Sequence, residues 1–247
     1  MEQLRPYLAL TRFGNSLFGT FSVSIAGVLS VELIGNEIDY LIAGTVSIFL
    51  FMGSFSINDY FDHKIDIVNN RKDRPIVIGT ISRSKALNIA TVCFFLAFFT
   101  SLFLGVFPSI FIGFNILLAI VYSSHLKKVL LLKNITIAYC FMATILFGTI
   151  IVDNRIDQLV GFYMIMAFLV GFAFEIMADI SDMIGDMQHN IKTIASFHSP
   201  RVAAFVSSFF FISIFLFDPL PFFESIEYNN KSNLKPYHKL GYEHERI

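Results

Sequence analysis

Tryptophan is absent from the 247 residues, cysteine occurs only twice, and charged residues make up just 15% of the chain. Each shortage removes a class of protein. Cys93 and Cys140 lie far apart inside apolar runs with no CxxC partner, so they read as small buried hydrophobes, and nothing supports a disulfide or a zinc site. The histidines, among them His63, His125, His189 and His198, show no zinc-ligand spacing. A formal net charge of −1 and the lack of a long basic run leave no electrostatic footprint for nucleic acid. A soluble domain is about one quarter charged. With 55% hydrophobic residues and a mean hydropathy of +0.66, this chain has the composition of a membrane protein.

What the sequence does have is long apolar runs. About 20 such residues cross a bilayer as a helix. Candidate spans are 14–34, 39–57, 86–104, 106–122, 134–152, 158–178 and 201–217, seven in all. The first begins after Arg5 and Arg12, is as long as a span and lacks a small-residue cleavage site, so it reads as a transmembrane helix and not a signal peptide. Gly105 and Pro108 between the third and fourth predict a tight hairpin. The N-terminus and the 58–85, 123–133 and 179–201 segments hold thirteen Lys and Arg, against Arg155 alone in the intervening loops. The positive-inside rule therefore places the N-terminus and the long polar segments in the cytoplasm, in a multi-pass protein of the cell membrane.

Two of those segments are acidic. Asp59, Asp62 and Asp66 have i, i+3, i+7 spacing, which at about 100° per residue puts them within an arc of about 60°, with Asn58 at its edge. In "EIMADISDMIGD", Asp179, Asp182 and Asp186 repeat the spacing, and Glu175 stands beside them. Two like charges about 4 Å apart repel by about 4 kcal/mol at an effective dielectric of about 20. A solvated face would relieve this with water and salt. The same spacing twice, each time at the end of an apolar span on the same side, points instead to a bound ligand. Oxygen donors without neighbouring Cys or His suit Mg2+, which keeps positions for water and phosphate oxygens. A pair of such faces can grip a diphosphate and screen its charge as a bond breaks. Lys64, Arg71, Lys72, Arg74, Lys127 and Lys128 are candidate partners for that anion, though each also serves orientation.

The segment "NDYFDHKID" resembles the N-D-x-x-D-x-x-x-D motif of the UbiA family of intramembrane prenyltransferases, and "DISDMIGD" resembles its second acidic motif. The likeness extends through "NNRKDRPIVIGTIS", "YSSHLKK" and "TRFGN", over about residues 5 to 220. It implies an all-α polytopic helical bundle around a laterally open cavity, with nine helices where seven are read here. It also implies that both motifs bind Mg2+ and a prenyl diphosphate whose tail lies in the cavity. By position, Asn58, Asp62 and Asp66 form the first metal face, supported by Asp59, and Asp179, Asp182 and Asp186 the second. Asp62, Asp66, Asp182 and Asp186 are the residues expected to carry catalysis. Asn15, Arg71, Arg74, Tyr122, Lys127 and Lys128 are expected to bind substrate, Arg74 and Lys127 foremost because they sit in the family-like segments.

Glu175 and Gly185–Asp186 look most like the ether-lipid branch of the family, which implies transfer of a geranylgeranyl group to the hydroxyl of geranylgeranylglyceryl phosphate, a lipid acceptor. Aromatic prenyl transfer in quinone, haem or chlorophyll synthesis would share both motifs. A non-enzymatic cation transporter would hold its acids nearer the midplane and need no long basic loop. Residues 1–223 form the expected transmembrane domain and 224–247 a polar tail with no span, as if the last helices were lacking.

Overall fold

The computed structural model describes residues 3–29, 33–151, 156 and 158–223. Every regular element of the described chain is a helix, because in hydrocarbon a backbone amide must find its partner within its own segment or in a closed sheet. The helices are α1 (Arg5–Leu10), α2 (Phe13–Leu29), α3 (Glu37–Val68), α4 (Arg83–Ser101), α5 (Val106–Ser124), α6 (Leu132–Ile150), α7 (Gln158–Gln188), α8 (Ile194–Phe197) and α9 (Pro200–Phe217). Among the described residues, six are long and apolar enough to cross a membrane: α3, α4, α5, α6, α7 and α9. The expected first span is represented by α2, a shorter apolar helix of 17 residues; residues 30–32 and the tail from 224 lie outside the described residues. The protein is an all-α, multi-pass membrane bundle.

The expected hairpin is present. A 3-10 turn at Leu102–Leu104 leads into Gly105, whose φ of 102° suits a residue without Cβ, and Pro108 sits in the first turn of α5. Two other helices run further than their apolar windows. At 1.5 Å per residue, the 32 residues of α3 extend about 48 Å and the 31 of α7 about 46 Å, against about 30 Å of hydrocarbon. The segments 58–68 and 179–188, read from hydropathy as parts of polar loops, are the lower ends of these helices. Hydropathy changes where side chains leave the lipid; the backbone ladder has no reason to stop there.

In lipid, helices associate by close packing and polar contacts, not by escape from water. The helix α3 lies against α2, α4 and α5, while α6 joins α2 to α7, and α9 covers α7 from one side. Tyr40, Ala43, Val46, Ala97, Ile112 and Phe147 fill the centre. The closest approach is at Gly148, where a Cβ would lie 2.3 Å from the Val23 carbonyl oxygen on α2. The Tyr40 hydroxyl donates to the Gly148 carbonyl at 3.0 Å, so three helices meet at one glycine. Replacing Gly148 with valine forces α2 and α6 apart and is expected to cost about 1–3 kcal/mol. Gly161→Ala, whose new methyl would meet only Ile156 at 3.5 Å, should leave stability unchanged or raise it. Thermal unfolding of the two variants in detergent separates these outcomes.

Candidate active site

The first acid of each motif sits deepest. Asp59 is 1% exposed and Asp179 0%. A carboxylate at such a position is stable as an anion only when paired and hydrogen-bonded, since the desolvation cost is several kcal/mol per ion. Asp59 Oδ1 accepts from Arg74 Nη1 at 2.8 Å and from Arg12 Nη2 at 3.1 Å. Arg12 lies between α1 and α2, and its guanidinium packs 4.5 Å from the centre of the Phe55 ring. Asp179 accepts from Lys133 Nζ at 2.5 Å on one oxygen and from Asn134 Nδ2 at 2.9 Å on the other.

Arg74 is placed by a compact connection between α3 and α4. The chain leaves α3 through Asn70, at φ 53°, and the Pro75 carbonyl accepts the amides of Thr80 and Ile81. Ile76 and Ile81 are buried against Leu10 and Ala86 and hold the loop under the helix ends. Arg71, just past the end of α3 at Val68, is fixed by an Arg71 N–H to Asp66 carbonyl bond of 2.9 Å.

The two motifs repeat one electrostatic plan. The last acid of each, Asp66 or Asp186, is buried and lies near the same cation that holds the first: Arg74 Nε is 4.0 Å from Asp66 Oδ2, and Lys133 Nζ is 3.8 Å from Asp186 Oδ2. The middle acids, Asp62 and Asp182, are the more accessible, and each meets a cation from a connecting loop. Lys127, in the 3-10 turn Leu126–Lys128 after α5, contacts Asp62. Arg71 Nη1 donates to Asp182 Oδ1 at 3.0 Å and so ties the first motif's loop to the second motif. Arg71 also grips Asp73 with two bonds of 3.1 and 3.2 Å. That fork raises the Arg71 pKa above its ordinary value and holds Asp73 below the usual carboxylate range. Burial, and then the charges of Lys133 and Lys128, push Lys127 down to about 7, while the charge of Asp186 acts in the opposite direction.

Not every residue singled out from the sequence reaches these acids. Asn58 is half-buried on α3 beside Asp59, and Tyr122 at the end of α5 lies within electrostatic reach of Glu175, Lys133 and Asp179. Asn15 and Lys128 are exposed and bond none of the carboxylates. Conversely, Lys133, which also stands 3.4 Å from Glu175, was counted only among the charges of the 123–133 segment, and Asn134 only as the start of a span. A lysine and an asparagine in the first turn of an apolar helix are the signal that could have found them. Asn69 was also missed. Its Oδ1 accepts the Gly185 amide at 2.7 Å, and a Cβ at Gly185 would fall 2.5 Å from that oxygen, so glycine there lets the two acidic helices join.

Among the described residues no three His, Cys, Asp or Glu side chains are grouped as a metal site, and cations stand between the acids. Two buried carboxylate oxygens, Asp59 Oδ2 and Asp186 Oδ2, nevertheless have no hydrogen-bond donor. Such oxygens are costly to bury and stand ready for a cation.

Comparison with known proteins agrees with this architecture. The model of the UbiA prenyltransferase family matches residues 16–227. The digeranylgeranylglyceryl phosphate synthase of Archaeoglobus fulgidus is 33% identical over 227 residues, covering 90% of this chain and 78% of that protein. The enzyme of the same name from Methanothermobacter thermautotrophicus is 32% identical, with 87% and 75% covered. Among solved structures, one of a digeranylgeranylglyceryl phosphate synthase superposes with a TM-score of 0.71 at 25% identity, covering 92% of this chain and 80% of the other. A UbiA homologue from Archaeoglobus fulgidus bound to DMAPP and Mg2+ gives 0.70 at 18% identity, with 95% and 89% covered, and shares the fold. The chain belongs to the UbiA prenyltransferase family and is a membrane-embedded prenyltransferase.

Proposed function

We propose that this chain transfers a geranylgeranyl group from its diphosphate to the hydroxyl of geranylgeranylglyceryl phosphate, in a Mg2+-dependent step of ether-lipid synthesis. The observation that carries the reading is the repeated acidic plan at the ends of α3 and α7, joined by the Arg71–Asp182 pair. Relatives named digeranylgeranylglyceryl phosphate synthase support the choice of acceptor, and a UbiA homologue bound to DMAPP and Mg2+ supports that of metal and donor.

The residues fit a hard cation. Asn58, Asp62, Asp66, Asp182 and Asp186 are all oxygen donors, and Asp186 Oδ2 is buried with no hydrogen-bond donor. These five would hold Mg2+, which when bound supplies charge stabilisation for the departing diphosphate. Asp59 and Asp179 have a different task. Their clamped oxygens fix Arg12, Arg74 and Lys133, and so set the positive wall against which a diphosphate would lie. Arg71 and Lys127, each on a middle acid, are placed to exchange that carboxylate for a phosphate oxygen through charge-assisted hydrogen bonds. The N-terminus and the connections after α3, α5 and α7 face the cytoplasm, as their excess of Lys and Arg favours.

The direct test incubates the purified chain with geranylgeranyl diphosphate and either geranylgeranylglyceryl phosphate or 4-hydroxybenzoate, with products identified by mass. The diether lipid is expected; prenylated benzoate alone would reject the acceptor. Chelation should abolish transfer and Mg2+ restore it. Asp62→Asn and Asp182→Asn should each lower turnover by at least about a hundredfold, the scale of losing a transition-state electrostatic group. Asp59→Asn has another signature, a stability loss of about 3 kcal/mol read by thermal unfolding, because Arg12 and Arg74 lose their buried counter-charge. Orientation is checked in a chain whose Cys93 and Cys140 are alanine. A cysteine at exposed Lys72 should react with impermeant reagent only from the cytoplasmic side, and one at Ile34, 82% exposed at the other end of α3, only from outside.

A further inference from the structure

Between α3, the end of α5, the turn after it and the end of α7 lies a cavity of about 180 Å³. Its lining includes Lys64, Ser123, Ser124, Lys127, Lys128 and His189. No carboxylate lines it. The other basic groups around the acidic motifs, Arg12, Arg71, Arg74, Lys127 and Lys133, each face an acid, but Lys64 and Lys128 form no ion pair among the described residues. The position of Lys64 on α3 is also distinctive. At about 100° per residue it points about 140° away from Asp59, off the acidic face. The cavity is thus a second cationic site, touching the first only through Lys127, which lines the cavity and contacts Asp62.

The chemistry of the lining narrows the ligand. Ser123 and Ser124 already donate their hydroxyl protons to the Ala119 and Ile120 carbonyls, at 2.9 and 2.7 Å. His189 Nδ1 lies 3.0 Å from the Gly185 carbonyl, which leaves Nε2 for a ligand. With Lys127 held by Asp62, the free cationic donors are the ammonium groups of Lys64 and Lys128, which favour a compact dianion with several acceptor oxygens. The volume is well below the roughly 300 Å³ at which pockets begin to enclose whole drug-sized molecules, so it takes a headgroup and not a prenyl chain. Orientation in the membrane accounts for lysines on this side. It does not account for three separate elements, α3, the turn after α5 and the end of α7, converging their basic groups on one concavity.

We infer that this cavity binds the phosphomonoester of the acceptor lipid, with Lys64 and Lys128 as its charge-neutralising groups and Lys127 as the wall shared with the diphosphate site. The inference rests on the acceptor being a glycerol phosphate lipid. It divides the two phosphates of the reaction between two sites: the diphosphate to the acidic motifs and their cations, the monoester to Lys64 and Lys128.

The test compares the full-length chain with a Lys64→Gln/Lys128→Gln double variant of matching thermal stability. In transfer assays the KM for geranylgeranylglyceryl phosphate should rise about tenfold or more, while the KM for geranylgeranyl diphosphate stays within about twofold. An unchanged acceptor KM, or equal shifts in both, would overturn the inference. A second measurement omits donor and metal and titrates glycerol phosphate, inorganic phosphate and phosphodiester phospholipid into the detergent-solubilised protein. Both monoesters should bind the parent and bind the double variant at least about tenfold more weakly, with the phosphodiester lipid a poor competitor. Equal binding to both proteins, or equal competition by the phosphodiester lipid, would again overturn it. If the monoesters bind as expected while the parent prenylates no glycerol phosphate lipid, the site stands and the proposed acceptor falls.

Discussion

Two carboxylates with almost no access to water, Asp59 and Asp179, govern the arrangement of everything around them. Neither can be ionised at that depth without a cation delivered from another part of the chain. Asp59 draws in Arg12 from the connection before α2 and Arg74 from the loop after α3; Asp179 draws in Lys133 from the start of α6. The loop carrying Arg74 must then fold back under the bundle, and Ile76 and Ile81 make that path favourable by packing on Leu10 and Ala86.

Within each motif the three acids do not share one environment. The first is clamped, the last is buried within about 4 Å of the same cation, and the middle one meets a cation from a separate loop. Spacing of three and four residues produces this pattern, because at about 100° per residue the middle acid is turned about 60° from the first and the last only about 20°, while all three keep to one face. A single helix face therefore supplies both a rigid anchor and an exchangeable ligand. That separation is what a site handling a polyanion requires: its positive wall must stay in place while its middle carboxylates change partners.

Much of this geometry was legible in the sequence, and the exceptions have physical reasons. The acidic faces follow from spacing alone, and the Gly105–Pro108 hairpin from two residues with restricted roles. Arg71, Arg74 and Lys127 were singled out, and the structure sets each against a carboxylate. The lower limits of α3 and α7 were not legible, because hydropathy records the surroundings of side chains and not the continuity of backbone bonds. Lys133 was hidden among charges that any cytoplasmic loop would carry. Asn69 lay in a family-like segment without a role of its own: its bond to the Gly185 amide spans 116 positions and exists only once two distant helices are side by side.

That distance in sequence has a consequence for how the protein is made. Helices enter a membrane in the order in which they are synthesised. The Asp59–Arg74 pair closes over 15 residues and the Asp59–Arg12 pair over 47, so the first motif can be neutralised while the remainder of the chain is still being translated. Lys133 must wait a further 46 residues for Asp179, and Arg71 must wait 111 for Asp182. The nascent protein therefore passes through a stage in which one half of the site is finished and the other is a lone lysine at the edge of the lipid. The contact that joins the halves forms last, when the second acidic helix emerges, and with it the reaction centre comes into being.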